Sequence, residues 1–241
     1  MKIVELARPV HHAPDNPVLE RLRRMGGLSA EDIDAFQRSL YPPRRLAPRA
    51  TMMAELRFPT VQRALISGWA GRVRILSDGR RQLIELFIPG DIVQVASSTA
   101  AASPNDLVVA LTEVASCAIE PTIWDEAPFQ QLGRRLDWMA TALLRNQVMR
   151  LGRQSAYERL GHLLLELRER QAAAGGDVRN VIAMPLTQEM LGETLGLTTV
   201  HLNRTMQQLR REMMVRSTRL GMELPDPETL ARVTDYQPIE G

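Results

Sequence analysis

The residues best suited to chemistry in this chain are polar and basic side chains in its C-terminal third. Thr199, Asn203, Arg204 and Gln207 can donate or accept hydrogen bonds, and their spacing places them on one side of a helix. Arginine and amide side chains in such a row have the geometry to bind base edges in the major groove of DNA. This spacing therefore favours recognition of a DNA sequence over catalysis.

Two short helices joined by a tight turn must hold these side chains in place. Thr187 is expected to cap the first helix and Thr198 the second, because threonine hydroxyls accept hydrogen bonds from the unpaired N–H groups of a first helical turn. Gly196 between them can adopt the positive φ that ends a helix. The second helix has one apolar stripe, formed at i, i+4 and i+7 by Leu202, Met206 and Leu209. The pattern predicts a helix-turn-helix whose second helix enters the major groove.

The alternative for this segment is an ordinary helical hairpin. The short turn and the hydrogen-bonding outer face, which lacks the Glu/Lys mixture of a solvated helix, favour the helix-turn-helix. Strands are predicted at 213–215 and 220–224, and they would form a wing beside it. Four arginines follow the second helix, and those of the wing would meet DNA phosphates at its tip: Arg210, Arg211, Arg216 and Arg219.

Composition limits the other classes of function. The 241 residues suit one large or two small domains, and the net charge of +2 gives no argument for nucleic-acid binding. All but one of the 30 basic residues are arginine, but they are spread along the chain, so codon bias of a GC-rich genome is the favoured explanation. No apolar run approaches the roughly 20 residues of a membrane span, and the N-terminus lacks a signal-peptide core. We therefore expect a cytoplasmic protein without a membrane partner.

The residues before the helix-turn-helix are predicted to include many short strands. Ser29 is expected to cap a short helix that ends near Leu40, with Asp32 answering at the third position. Residues 47–124 follow with strand-like alternation and turn signals. Short strands are predicted there at 92–96, 107–111 and 114–119, among others. Many short strands with regular turns predict a sandwich or roll.

Residues 126–172 have helical periodicity. Gly152 is expected to interrupt the helix, and Ser155 and Glu158 match a capping box that opens the next one, so this junction is the predicted domain boundary and hinge. One stripe of this helix suits pairing with a symmetry-related helix, where an asparagine would fix the register. The alternative, which the pattern favours about equally, is packing of the stripe on its own sheet. The stripe comprises Leu132, Leu136, Met139, Leu143 and Asn146.

Two motifs resemble the Crp/Fnr family of bacterial transcription regulators. The first motif is similar to the β-roll signature of that family and comprises Gly68-Trp69-Ala, Asp78-Gly-Arg-Arg-Gln-Leu and Phe87-Ile-Pro-Gly-Asp91. Residues 186–215 are similar to its C-terminal helix-turn-helix and wing. The resemblance implies an α+β fold with a double-stranded β-roll, like a cyclic-nucleotide-binding jelly roll, at 1–125. It further implies a long dimerisation helix at 126–152 and a winged helix-turn-helix at 153–241.

The family resemblance also implies partners and roles. It implies a homodimer that binds a near-palindromic DNA operator, contacts RNA polymerase, and responds to a signal sensed by the β-roll. Arg204 keeps the family's arginine, whereas Thr199 and Val200 replace the Arg and Glu of better-known members, so we expect a different operator. The residues expected to contact DNA are Thr187, Gln188, Thr198, Thr199, Val200, His201, Asn203, Arg204, Gln207, Arg210, Arg216 and Arg219.

The sensor end departs from the cyclic-nucleotide-binding members. Their Arg-Ser/Thr-Ala stretch grips the cyclic phosphate, but the corresponding residues 97–110 contain no arginine and include Asp106, so cyclic AMP is disfavoured. An iron–sulfur cluster is disfavoured because Cys117 is the only cysteine. Haem ligation by His11, His12 or His162 stays open, although a packed role is favoured for His162. We predict no cofactor.

A small core residue in a strand is the favoured role for Cys117, with a redox sensor as the alternative. The sequence contains no convincing nucleophile–base pair, metal-ligand spacing or phosphate-binding glycine loop, so an enzyme is disfavoured. Two hypotheses remain: a DNA-binding regulator, and a small-molecule-binding module whose helix-turn-helix mainly contacts protein.

Overall fold

The computed structural model describes residues 16–52, 60–96, 106–176, 180–219 and 221–239. These residues form two compact units. The first combines the described parts of Met1–Ala70 and Phe87–Asp137, and the second combines Gly71–Leu86 with the described parts of Trp138–Gly241. The three-part division expected from the sequence has boundaries at other residues, and it stays a prediction.

Strands dominate the chain up to residue 118, and helices dominate the rest. The helices are α1 Pro17–Met25, α2 Ala30–Arg38, α3 Ala127–Arg153, α4 Ala156–Ala173, α5 Gln188–Leu195, α6 Thr199–Arg211 and α7 Pro227–Val233, with a 3₁₀ turn at Pro121–Asp125. The strands are β1 Arg44–Leu46, β2 Thr60–Ser67, β3 Ala70–Ile75, β4 Arg81–Phe87, β5 Ile92–Ala96, β6 Asp106–Ala110, β7 Val114–Ala118, β8 Val181–Ile182, β9 Arg216–Thr218 and β10 Gly221–Glu223. The short strands predicted around β5, β6 and β7 are confirmed.

The first unit is built on an antiparallel sheet with the order β1-β7-β2-β5. Side chains alternate across β2, so Val61 and Leu65 belong to one aliphatic cluster, whereas Ala64 packs with α1, α2 and the start of α3. Helix α2 begins at the predicted capping box, because the Ser29 hydroxyl accepts from the Asp32 amide at 3.1 Å. The Asp32 carboxylate accepts in return from the Ser29 amide at 2.8 Å.

Cys117 lies in β7 inside the cluster that includes α1 and α2, and it is 1% exposed. Burial raises the pKa of its thiol to about 11. The thiol is therefore protonated and inaccessible at neutral pH, which confirms the small core residue expected from the sequence and gives no support to a redox sensor.

Helix α3 differs from the prediction at Gly152, where the helix continues to Arg153 instead of breaking. Gly152 faces open space and does not have a positive φ, so nothing in its backbone ends the helix there. The next helix does begin at the predicted capping box: the Ser155 hydroxyl accepts from the Glu158 amide, and the Glu158 carboxylate accepts from the Ser155 amide.

The predicted pairing stripe of α3 lies on the inner side of the helix. Leu132 is 4% exposed in the core of the first unit, and Leu136 packs against the same core. Met139, Leu143 and Asn146 are partly buried. Packing within the chain, one of the two alternatives, therefore accounts for Leu132 and Leu136, and a role of the whole stripe in dimerisation stays a prediction.

The second unit is centred on α4. Every residue from Leu160 to Leu167 is buried, as expected for a helix surrounded by other elements. The buried carboxylate of Glu166 is paired with Arg150, whose NH1 lies 2.7 Å from Oε2. His162 is 1% exposed and packs edge-on against Tyr236, which confirms the packed histidine expected from the sequence. Burial and the neighbouring Arg150 lower the pKa of His162 to about 4.

Helices long and apolar enough to span a membrane are absent from the described ranges of the chain.

Candidate nucleic-acid interface

Helix α5 begins and ends, and helix α6 begins, where the sequence predicts. The Thr187 hydroxyl accepts from the Met190 amide at 3.2 Å, and the Thr198 hydroxyl accepts from the His201 amide at 3.2 Å. Gly196 has a φ of 63° at the end of α5, in the left-handed region that a side chain would disfavour. The predicted helix-turn-helix is therefore confirmed, including both caps and the turn residue.

The inner face of α6 fixes the helix in the second unit. Its predicted apolar stripe is buried, with Leu209 at 0% exposure, and Thr205 on the same face donates from its hydroxyl to the His201 carbonyl at 3.0 Å. The buried stripe leaves the opposite side of the helix without intramolecular cover. The expected base-contacting side chains occupy or flank that side: Thr199, Val200, Arg204 and Gln207 are exposed, and Asn203 is half-buried.

The centre of the outer face is a line of four exposed residues. Val200, Arg204, Gln207 and Arg211 follow one another at steps of four, three and four residues, which keeps them on one line along a helix. Val200 is 63% exposed, so its apolar side chain is available for contact with a partner. Arg211 was not in the expected DNA-contacting set, although its spacing from Arg204 would have been sufficient to include it.

The flanking polar residues at the helix starts are also exposed. Thr187 and Thr198 are exposed, and their hydroxyl oxygens accept the capping bonds, so each O–H can still donate to a ligand. Gln188 and His201, one and three residues after the caps, are exposed at the starts of α5 and α6. All these positions lie at the N-terminal ends of two helices, where the macrodipole favours an anion such as DNA phosphate.

The wing differs from the prediction in its first strand, which is β9 at Arg216–Thr218 instead of 213–215. Met213 has a φ of 59°, and the Met214 amide donates back to the Leu209 carbonyl at 2.9 Å, so these residues close the end of α6. Val215 is 1% exposed and anchors the segment in the core. The second predicted strand is confirmed by β10, and the wing sheet has the order β8-β10-β9.

The shifted strand changes the place of the wing arginines. Arg216 lies within β9, opposite Glu223 of β10, and is exposed. Only Arg219 is in the turn at the tip. Arg210, at the end of α6, donates to the Ser217 hydroxyl at 2.8 Å. Together with Arg211, four exposed guanidinium groups therefore lie at the C-terminal end of α6 and along the wing, where phosphate contacts position a protein on DNA.

Two parts of the expected effector site lie outside the described residues. These are His11-His12 and the segment 97–105. Asp106 begins β6, but its side chain is likewise not described. The expectations about cyclic AMP, an iron–sulfur cluster and haem therefore stay predictions.

The chain is similar to known regulators over most of its length. A family model described as a Crp-like helix-turn-helix domain matches residues 158–233. The transcriptional activatory protein AadR of Rhodopseudomonas palustris is 29% identical over 206 residues, which cover 84% of this chain and 85% of AadR. The nitrogen fixation regulation protein FixK of Bradyrhizobium diazoefficiens is 32% identical over 159 residues, which cover 64% of this chain and 65% of FixK.

The fold is similar to solved structures as well. The structure of FixK2 from Bradyrhizobium japonicum aligns with a TM-score of 0.63 at 22% sequence identity, covering 83% of this chain and 98% of that chain. This likeness confirms the expected α+β fold with an antiparallel, cyclic-nucleotide-binding-like strand region and a C-terminal helix-turn-helix. The family model and the relatives describe regulators of transcription rather than enzymes. Residues 158–233 therefore form a Crp-like helix-turn-helix domain, and the chain is a DNA-binding transcription regulator that is similar to regulators of the Crp/Fnr family over most of its length.

Proposed function

We propose that the protein acts as a homodimer that presents two copies of α6 to the two halves of a near-palindromic operator. The observation that carries this proposal is an apolar surface on the outer side of α3. Val148 is 64% exposed and Leu144 is 42% exposed, and they lie one turn apart on this helix. Trp138, 47% exposed, lies further towards the start of α3.

Exposed apolar side chains on a long helix are typical of surfaces that a second chain covers. The side chains between and around them, Thr141 and Arg145, are exposed too, so the surface is continuous along about three turns. A two-fold axis beside this surface would bring Val148 of one subunit against the same surface of the other, as an isologous contact requires. We place the dimer contact on this surface, which lies on the other side of α3 from the buried stripe at Leu132 and Leu136.

A dimer also matches the chemistry of the outer face of α6. One helix reads only a few base pairs, whereas two helices about one DNA turn apart read a longer site. AadR and the FnrL protein of Cereibacter sphaeroides are named as activators. We propose that this chain is likewise an activator and that it contacts RNA polymerase in the cytoplasm. We propose a signal other than cyclic AMP, because the sequence of residues 97–110 contains no arginine or lysine to bind a phosphate.

The experiment begins with an operator selected from a random double-stranded DNA library by the wild-type protein. Sedimentation then measures the mass in solution of the wild-type protein and of Val148→Glu, each with and without the operator. We expect a dimer for the wild type and a monomer for Val148→Glu, because the substitution places a charge in an apolar contact. The variant should lose most of its affinity for the full operator but not for a half-site.

Val233→Glu is the matched control, since Val233 is also an exposed valine, at 44%, but lies on α7 instead of α3. It should remain a dimer. A wild type that binds the full operator as a monomer would contradict the proposal. The second hypothesis, in which the helix-turn-helix mainly contacts protein, predicts nucleic-acid association with little salt dependence, whereas phosphate contacts make affinity fall steeply with salt.

A further inference from the structure

The hairpin formed by β3 and β4 is held against the helix-turn-helix within the second unit. Gln82, near the start of β4, donates from Nε2 to the Glu193 carbonyl at 2.6 Å and to the Thr194 carbonyl at 3.4 Å. Arg81 Nε lies 3.7 Å from Oε1 of the Glu193 carboxylate. Residues of the hairpin therefore contact the last turn of α5, the first helix of the helix-turn-helix.

The carbonyl groups at the end of α5 need donors from outside the helix, because the last carbonyls of an α-helix have no intrahelical partner. Gln147 of α3, itself 4% exposed, donates to the Thr194 carbonyl at 2.6 Å. Arg159 of α4 donates to the Leu195 carbonyl at 3.0 Å. The end of α5 is thus fixed by side chains from three elements: the hairpin, α3 and α4.

A second contact attaches the other end of β4 to the same unit. Arg170 of α4 donates from NH2 to the Leu86 carbonyl at 2.7 Å, and its guanidinium is 3.5 Å from the Glu166 carboxylate. Across the hairpin, Arg72 of β3 is paired with Glu85 of β4. Both ends of β4 are therefore anchored on helices of the DNA-binding half, and the two strands are cross-linked to each other by an ion pair.

We infer that Gln82 is a positioning residue for DNA recognition: by holding the last turn of α5, it sets the orientation of the turn at Gly196 and hence of α6. The inference rests on the DNA-binding function described above. Gly196 directly follows Leu195, so a displacement of the last turn of α5 is passed to the residues that cap and orient α6. The hairpin thereby has a direct contact with the helix-turn-helix through which it affects operator affinity.

The test uses the full chain and the operator selected by the wild type, with Gln82→Glu, Gln82→Ala and Gln82→Arg compared by fluorescence anisotropy across a salt series. Glutamate is similar in size but points oxygens at the carbonyls of Glu193 and Thr194, whereas arginine retains N–H donors. We expect Gln82→Glu and Gln82→Ala to lose about three- to tenfold in affinity, the effect of one hydrogen bond, and Gln82→Arg to retain it. The salt slope should not change, because no phosphate contact is removed.

Arg80→Ala is the matched control, since Arg80 lies beside Gln82 in the hairpin turn but is paired with exposed Asp78. It should bind as the wild type does. Amide hydrogen exchange tests whether the substitution acts at the end of α5. Gln82→Glu should speed exchange at the turn around Gly196 and leave exchange in the core of the first unit unchanged. Equal affinity of Gln82→Glu and wild type, or an equal loss in Arg80→Ala, would overturn the inference. If the wild type selects no DNA at all, the proposed function fails instead.

Discussion

The guanidinium of Arg210 donates to the hydroxyl of Ser217 across 2.8 Å, so the last turn of α6 is tied to the first strand of the wing. The sequence places Arg210 among the residues expected to contact DNA, and the structure adds this tether. A guanidinium has five N–H donors, so one bond to Ser217 leaves donors for a phosphate. The recognition helix and the wing are consequently presented to DNA as one surface.

Arg204 is expected to contribute to base recognition. Replacing it with alanine should weaken binding to the selected operator by about 1–3 kcal/mol, roughly 5- to 150-fold, because a bidentate contact to guanine is lost. Binding to unrelated DNA should change little. Competitive mobility-shift titrations measure both affinities. Arg38→Ala, an exposed arginine of α2, is the control, and equal operator binding by wild type and Arg204→Ala would refute this role.

Val200 is expected to contact a thymine methyl group, because it is 63% exposed at the start of the outer face of α6. Replacing the contacted thymine with deoxyuridine removes only the methyl group and should weaken wild-type binding roughly fourfold, the value of about 0.8 kcal/mol for one buried methylene. Val200→Ala should bind more weakly but respond less to the same replacement. A double-mutant cycle over both changes gives the coupling, and zero coupling at every thymine would exclude this contact.

His162 should make stability depend on pH. Its folded-state pKa of about 4 lies below the ordinary 6.5, so the unfolded chain binds more protons between these values. The contribution is complete above pH 6.5 and is lost as the pH falls, by about 2 kcal/mol on going from pH 7 to 5.

Urea denaturation at a series of pH values measures this loss. His162→Gln should flatten the curve in this window, whereas His201→Gln, on the exposed start of α6, should not. A wild-type curve that is flat from pH 7 to 5 would contradict the expected contribution.

Two glycines should respond to alanine in opposite directions. At Gly196, with its φ of 63°, a Cβ would also meet Leu151 Cδ2 at 3.1 Å, so Gly196→Ala should destabilise the protein by about 1–2 kcal/mol. Gly152 is helical and faces open space, so Gly152→Ala should stabilise it by roughly 0.5–1 kcal/mol. Thermal denaturation of both variants tests the pair. Stabilisation by alanine at Gly196 would be incompatible with the left-handed turn.

Local patterns were enough to predict the helix-turn-helix. Thr187 and Thr198 cap helices through bonds three residues away, and the stripe of α6 has the period of a helix, so these features are written in neighbouring residues. The first wing strand was misplaced because Met213 adopts a positive φ, which its residue type does not signal. The stripe at Leu132 could not be assigned to a dimer or to its own core, since the same apolar pattern suits both.

The contacts that fix α5 could not be predicted in the same way. Gln82 and Glu193 are 111 residues apart, and a glutamine beside a turn signal has no pattern that names a distant carbonyl as its partner. Arg170 and Leu86 are likewise 84 residues apart. Long-range polar contacts of this kind depend on the tertiary structure, and local residue patterns in a single sequence do not identify partners that are distant along the chain.

Residues 71–86 belong to the second unit although they precede residues 87–137 of the first unit, and this affects the order of folding during synthesis. The second unit is discontinuous, because this segment leaves the ribosome before residues 87–137, which belong to the other unit. Domains tend to fold as they emerge, from the N-terminus onward, so here a hairpin must wait for helices synthesised later. A recombinant fragment starting at Trp138 would keep the recognition helix and wing yet lack Gln82, and its DNA affinity would not represent that of the intact chain.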